Sequence, residues 1–217
     1  MRTSLTFLAV LSLGACAGDL GEGRTHATVL DVPSGLVGTN EDSAGVGRIL
    51  DVDTSRSELG LIGAKVTKKH PIQIRDYVGT VTVTPNGVVT GVEYVARVAS
   101  IEADHPKLTA HLKTEDFLWV DKHPTSEFQS VEVVPGADAD GMTHTVTGDL
   151  TIRGRTKRIT FPATIVVTNE GVEASTEFVI DRQDFGVAYP GRADDLVQDS
   201  VVLQMRLVAP EVYVGLR

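Results

Sequence analysis

The sequence predicts an all-β domain of about eight antiparallel strands with one short helical segment, placed behind an export leader and a flexible tether. Apolar and polar residues alternate over most of the chain, Asn- and Gly-containing turns separate the alternating runs, and helical spacing is confined to one stretch. Alternation with one polar face marks a sheet wetted on one side only. Strands joined by short turns without intervening helices favour a sandwich or a closed barrel.

The first element is a leader over residues 1–15. Arg2 precedes an apolar run from Leu5 to Leu13, too short for a membrane-spanning helix, which needs about 20 apolar residues. Leu13-Gly14-Ala15-Cys16 then reads as a bacterial lipobox in which Cys16, the only cysteine, is lipidated. Several acyl chains on one cysteine anchor a protein stably. The expectation is an exported protein of the bacterial cell envelope, lipid-anchored and facing the periplasm or the exterior. A single cysteine leaves no intramolecular disulfide, so the fold stands on its core. Residues 16–47, rich in Gly, Asp, Ser and Thr and without sustained periodicity, read as the tether. Residues 48–217 suit one domain.

Strands are expected at 47–52 and 58–65, then at 80–84 and from Val88 onward, across Pro85-Asn86-Gly87. The Asn-Gly pair supplies the positive φ that a tight hairpin needs. Within 92–98, Val92, Tyr94, Ala96 and Val98 share a face opposite Glu93 and Arg97. The pattern changes over 104–124: Pro106 suits a first helical position, Asp104 or His105 can cap, and Leu108, His111 or Leu112, and Glu115 recur at helical spacing. That helix, followed by Phe117, Leu118 and Trp119, is expected to lie across a barrel mouth or to plug one end of a core. Further strands follow at 126–134, 144–152, 158–168, 172–180 and 201–207, with Val146, Gly148, Leu150 and Ile152 inward on one and Leu203, Met205 and Leu207 inward on the last. Ala96, Gly148, Ala174 and Thr176 are small inward candidates, and small residues beside an aromatic rim leave room inside a barrel of this size.

Several tracts carry a resemblance in order along the chain. They are Leu50 to Ser57, His111-Leu112-Lys113-Thr114-Glu115-Asp116-Phe117, Phe128-Gln129-Ser130, Gly148-Asp149-Leu150-Thr151-Ile152-Arg153-Gly154 and Arg182-Gln183-Asp184-Phe185-Gly186. Together they resemble the YceI-like family of bacterial envelope proteins over roughly residues 50 to 208. Arg56 stands where histidine is common in that family, and Arg155 where an apolar residue is usual. The resemblance implies a lipocalin-like eight-stranded barrel that binds and carries or stores a long-chain isoprenoid or related amphipathic lipid, without catalysis. The alternative is a ligand-free envelope interaction or stress-response module built on the same barrel.

The residues expected to contribute lining or rim are Tyr94, Phe117, Trp119, Phe128, Val146, Leu150, Phe161, Phe178, Leu203 and Met205, with His111, Lys113 and Arg182 as candidate headgroup contacts. The chain has 29 acidic against 20 basic side chains, a formal charge of −9, and loss of Arg2 with the leader makes it one unit more negative. Such a surface repels phosphate backbones and argues against nucleic-acid binding. The expected partners are a lipid ligand and, through the N-terminal anchor, a membrane; a homo-oligomer is left open. No Gly-x-Ser-x-Gly elbow, His-Glu-x-x-His, P-loop or Cys-x-x-Cys occurs, so no enzyme, cofactor or metal is expected. Asp184-Phe185-Gly186 matches a kinase triplet in letters only and reads as a strand end turning at Gly186 with Phe185 buried.

Overall fold

The computed structural model describes residues 18–32, 47–136 and 141–211. The predicted leader and Cys16 lie outside the described residues. In chain order the elements are β1 (Thr28–Asp31), β2 (Arg48–Asp51), β3 (Glu58–Ala64), β4 (Lys69–Ile74), β5 (Tyr77–Val83), β6 (Val89–Arg97), β7 (Ile101–Ala103), α1 (Pro106–Leu112), β8 (Thr125–Pro135), β9 (His144–Ile152), β10 (Arg155–Thr168), β11 (Gly171–Asp181), β12 (Gly191–Arg192), β13 (Asp195–Leu196) and β14 (Ser200–Pro210).

Twelve of these strands form one antiparallel sheet, in the order β2, β5, β6, β8, β9, β10, β11, β14, β3, β4, β7, with β1 added against β10. The sheet curls. β14 returns to the bend after β2, where the Asp53 N–H donates to the Val208 carbonyl at 2.8 Å and the Val208 N–H donates to Ser57 Oγ at 2.9 Å. Arg48 and Glu211 add an ion pair at 2.7 Å there.

The sheet holds three strands beyond those expected from the sequence: β1, which pairs with β10; β4, which precedes β5 around a bend at Arg75 and Asp76; and β7, which follows β6 around a 3-10 turn at Val98–Ser100. Strand β4 has no counterpart among the expected strands, and it carries Pro71, a residue disfavoured inside a sheet. It is tolerated because β7 pairs only with residues Ile72 to Ile74, so the proline, opposite Ile62 of β3, has no partner on its other side to supply.

Inward rows from successive strands meet in one buried cluster that includes Val81, Tyr94, Phe128, Leu150, Phe161 and Phe178. The helix forms where predicted. His105 is its N-cap, with Nδ1 accepting from the Lys107 N–H at 3.1 Å, and Pro106 opens the first turn. Leu112 and Phe117 pack at one end of the sheet with Ile72, Ile101 and Val187.

The N-terminal segment differs from expectation. Residues 18–32 do not hang free: Leu20 packs against the sheet, and residues 25–31 pair with the edges of β11 and β10. Leu20 is fully buried against Ala64, Val179 and Val202, the Ala27 N–H donates to the Val179 carbonyl and the Val179 N–H to the Thr25 carbonyl, both at 2.9 Å, and Arg24 pairs with Glu177 at 2.9 Å. β1 then extends the ladder with β10, from Thr28 opposite Thr160 to Asp31 opposite Lys157. The reason lies on the partner: Phe178, Val179 and Ile180 are all buried, so the alternation of β11 fails here and the outward apolar spot requires a cover. Composition alone reads such a Gly- and Asp-rich segment as loose because the docking signal is one leucine plus backbone pairing.

Candidate functional site

Strand alternation places small and aromatic residues on the inner wall, and the result is a series of three apolar cavities with shared walls. An inner cavity of about 410 Å³, open space at its mouth included, is lined by residues such as Tyr94, Phe128, Val146, Phe161, Ala174 and Met205. A middle cavity of about 620 Å³ is lined by Leu59, Ile74, Leu150, Ile152 and Leu203, and shares Tyr94 and Met205 with the inner one. An outer cavity of about 680 Å³ lies under the helix and shares Leu61, Ile101, Leu118, Ile152 and Leu203 with the middle one. All three volumes include open space at the mouths; the room left for the centres of water-sized spheres is about 40, 70 and 120 Å³ in turn, so these are narrow apolar clefts.

The inner cavity exists because its neighbours are small. Ala163 and Ala174 line it where larger residues would fill it. Phe128 lies over Gly148 of the neighbouring strand, which has no side chain; a Cβ there would fall 2.4 Å from the Phe128 Cζ. Phe128 also stacks near Tyr94, with ring centroids 5.8 Å apart.

Of the residues expected to line the site, Tyr94, Phe128, Val146, Phe161 and Met205 border the inner cavity, Leu150 the middle one, Leu203 the middle and outer ones, and Phe117 the outer one. Phe178 borders none of them. It is fully buried and stacked on Phe161 at 4.2 Å, a core residue behind the wall. Trp119 also points elsewhere. Its backbone φ of 47° reverses the chain just after Leu118, so Leu118 lines the cavities while the indole packs outside against His123, under Lys122 Nζ at 4.1 Å. Sequence spacing cannot distinguish the two neighbours, because the reversal at residue 119 is set by the hydrogen bond from its N–H to the Thr114 carbonyl. Ala163 and Ile165 were findable: they continue the inward row of Phe161 at period two along β10.

The candidate headgroup contacts are otherwise engaged. Arg182 is 6% exposed, and its guanidinium donates to the carbonyls of Val187, Val197 and Gln198 and pairs with Asp199 at 2.8 Å. A buried cation requires such partners, and these hold the loop from residue 187 to 199 over the outer cavity. His111 Nε2 meets Asp116 Oδ2 at 2.8 Å, with its ring edge-on to Phe117 and Tyr189. Lys113 caps the end of α1 and borders none of the three cavities. Arg153, which sequence reading did not single out, lines the middle cavity while donating to the carbonyls of Glu115 and Gly186, so it ties the post-helix turn to the turn after β11. In that second turn Phe185 is buried and Gly186 takes a φ of 74°, a left-handed conformation that suits glycine.

Among the described residues no group of three or more His, Cys, Asp or Glu side chains is placed to hold a metal, and no helix is long and apolar enough to cross a membrane.

Comparison with known proteins gives the same frame. A Pseudomonas fluorescens UPF0312 protein is 36% identical over 105 residues, 44% of this chain and 52% of the relative. A Pseudomonas aeruginosa UPF0312 protein is 33% identical over 96 residues, 41% of this chain and 47% of the relative. The chain thus matches about half the length of these curated relatives. Among solved structures, Burkholderia cenocepacia BcnA superposes with a TM-score of 0.63 at 22% identity, over 73% of this chain and 99% of that one. A polyisoprenoid binding domain from Saccharophagus degradans superposes with a TM-score of 0.56 at 11% identity, over 76% and 100%. Both likenesses show the fold. The model of the YceI-like domain matches residues 50–209, and the chain belongs to the YceI-like family.

Proposed function

We propose that this protein binds one long-chain, mainly apolar lipid, an isoprenoid or a related amphipathic molecule, and carries or stores it in the bacterial envelope without transforming it. The observation that carries this reading is the series of three apolar cavities joined by shared walls through Tyr94, Met205, Leu61 and Leu203. A hydrocarbon chain moved from water into such a space gains about 0.8 kcal/mol per CH₂, less the cost of ordering the chain. Selection is then by length and shape. The Saccharophagus neighbour, a polyisoprenoid binding domain on the same fold, supports the class of ligand.

Attachment to a membrane through a lipidated Cys16 completes the proposal.

Native mass spectrometry of the mature chain carrying Cys16→Ser, purified without detergent, tests the carrier reading. A stoichiometric hydrophobic mass, identified after organic extraction, is expected. An apo mass that stays apo after incubation with polyprenyl lipids overturns the proposal in favour of a ligand-free interaction module. Metabolic labelling of the native chain with a fatty-acid analogue tests the anchor: label is expected on the native chain and absent from Cys16→Ser.

A further inference from the structure

One polar group on the cavity walls makes no hydrogen bond to the described residues. Tyr94 is 8% exposed and lines both the inner and the middle cavity where they share a wall. Its ring is fixed by strand pairing opposite Phe128 on β8 and opposite Gly79 on β5; none of the hydrogen bonds among the described residues involves its hydroxyl, and unlike the hydroxyl of Tyr77, which is buried without a partner, it keeps some accessible surface. Neighbouring polar groups of the same walls are satisfied internally: Thr176 Oγ1 donates to the Pro162 carbonyl at 2.6 Å, and Ser126 Oγ to the Thr151 carbonyl at 2.9 Å. Tyr77, the other buried tyrosine of the barrel, borders none of the three cavities.

A hydroxyl on an apolar cavity wall is paired only by what enters the cavity, water or a ligand atom, and a ligand that displaces the water without replacing its hydrogen bond loses affinity. We propose that Tyr94 is a hydrogen-bonding subsite that selects a lipid carrying a neutral oxygen acceptor, of carbonyl or ether type, within its apolar body, over a chain of hydrocarbon alone. The acceptor is neutral because no free cation shares the wall: the guanidinium groups of Arg153 and Arg182 are bound to backbone carbonyls. The acceptor also has apolar substituents on both sides, since Tyr94 stands between two apolar cavities. Burial pushes the Tyr94 phenol above its usual range, so the group is a protonated donor at neutral pH.

This inference rests on the carrier reading, and one experiment separates their failures. Affinities for hexadecane, the methyl ketone of the same chain length and a mid-chain hexadecanone are measured by competition with a fluorescent fatty probe, on the Cys16→Ser chain with and without Tyr94→Phe. That substitution keeps the ring and its stacking on Phe128. At least one ketone is expected to bind the Tyr94 protein on the order of tenfold more tightly than the alkane, and Tyr94→Phe is expected to abolish that preference while alkane affinity holds or rises. Equal affinities for alkane and both ketones, or a ketone preference that survives Tyr94→Phe, overturn the subsite and leave the carrier standing. Absence of binding by all three compounds overturns both.

Discussion

The inner cavity and the outer cavity are built by different rules. The inner one is walled by strands β6, β8, β9, β10, β11 and β14, whose side chains alternate in and out, so its lining follows from period two once the strands are placed. The outer one lies under the post-helix turn, the 3-10 turn at Arg182–Phe185 and the loop to β14, and its lining is fixed by particular bonds: Arg182 to three carbonyls, and Arg153 to the carbonyls of Glu115 and Gly186. The contrast teaches that a barrel interior is specified by pattern and redundancy, whereas its mouth depends on a few polar clamps. Loss of one inward residue deforms a wall; loss of one clamp frees a loop.

The largest effect is expected behind the inner wall. Phe178→Ala removes a fully buried ring stacked on Phe161 and should destabilise the protein by about 4 kcal/mol, read as a fall in the urea midpoint. A cost below about 1 kcal/mol would mean that the inner wall is far softer than the packing indicates. Arg182→Met comes next, at about 2 kcal/mol, because three loop carbonyls lose their donor. Its diagnostic readout is hydrogen exchange, with faster exchange over residues 187–199 and unchanged protection in β9 and β10. Equal loss in both regions would show that the mouth is not a separate unit. Gly148→Ala follows at about 1.5 kcal/mol, since the added Cβ meets the Phe128 ring; the displaced ring should also reduce ligand load, measured on the same preparations, without altering exchange at the mouth.

The smallest effect concerns the docked N-terminal segment and acid. A hydrogen bond and the charge of Lys157 hold the Asp31 carboxyl below its usual range, and the Gly21 N–H, with Ser200, does the same for Asp19. Groups depressed in the folded state contribute stability that is complete above the usual carboxylate pKa of about 4 and is lost as pH falls through the lower folded values. Residues 18–32 should therefore lose protection from proteolysis on acidification below about pH 4 before the sheet does, and Asp31→Asn should weaken that pH dependence. An unchanged pH profile in Asp31→Asn would show that Lys157 does not tether β1.

The legibility of the site divides along the same line. Tyr94, Phe128, Val146, Leu150, Phe161, Leu203 and Met205 could be placed at the cavities from alternation, because a strand leaves only two directions for a side chain. Trp119 could not, since its direction follows from a backbone reversal with φ of 47°. Nor could Arg182, whose partners come from residues up to 17 positions away. Phe178 shows a limit of a different kind: it faces inward, but depth behind Phe161 is a property of packing between strands and is not written along either one.

By itself the sequence determined the sheet, through alternation and turn residues; the helix start at His105 and Pro106; and the inward rows from which the inner cavity is made. Those features depend on residues close in the chain, where local geometry leaves few choices. Tertiary structure alone decided the pairing of β4 with β7, the docking of residues 18–32 onto Val179 and Val202, and the arginine clamps over the mouth. Each of these is a contact between segments distant in sequence, and its free energy exists only once both partners have been brought together by the curled sheet.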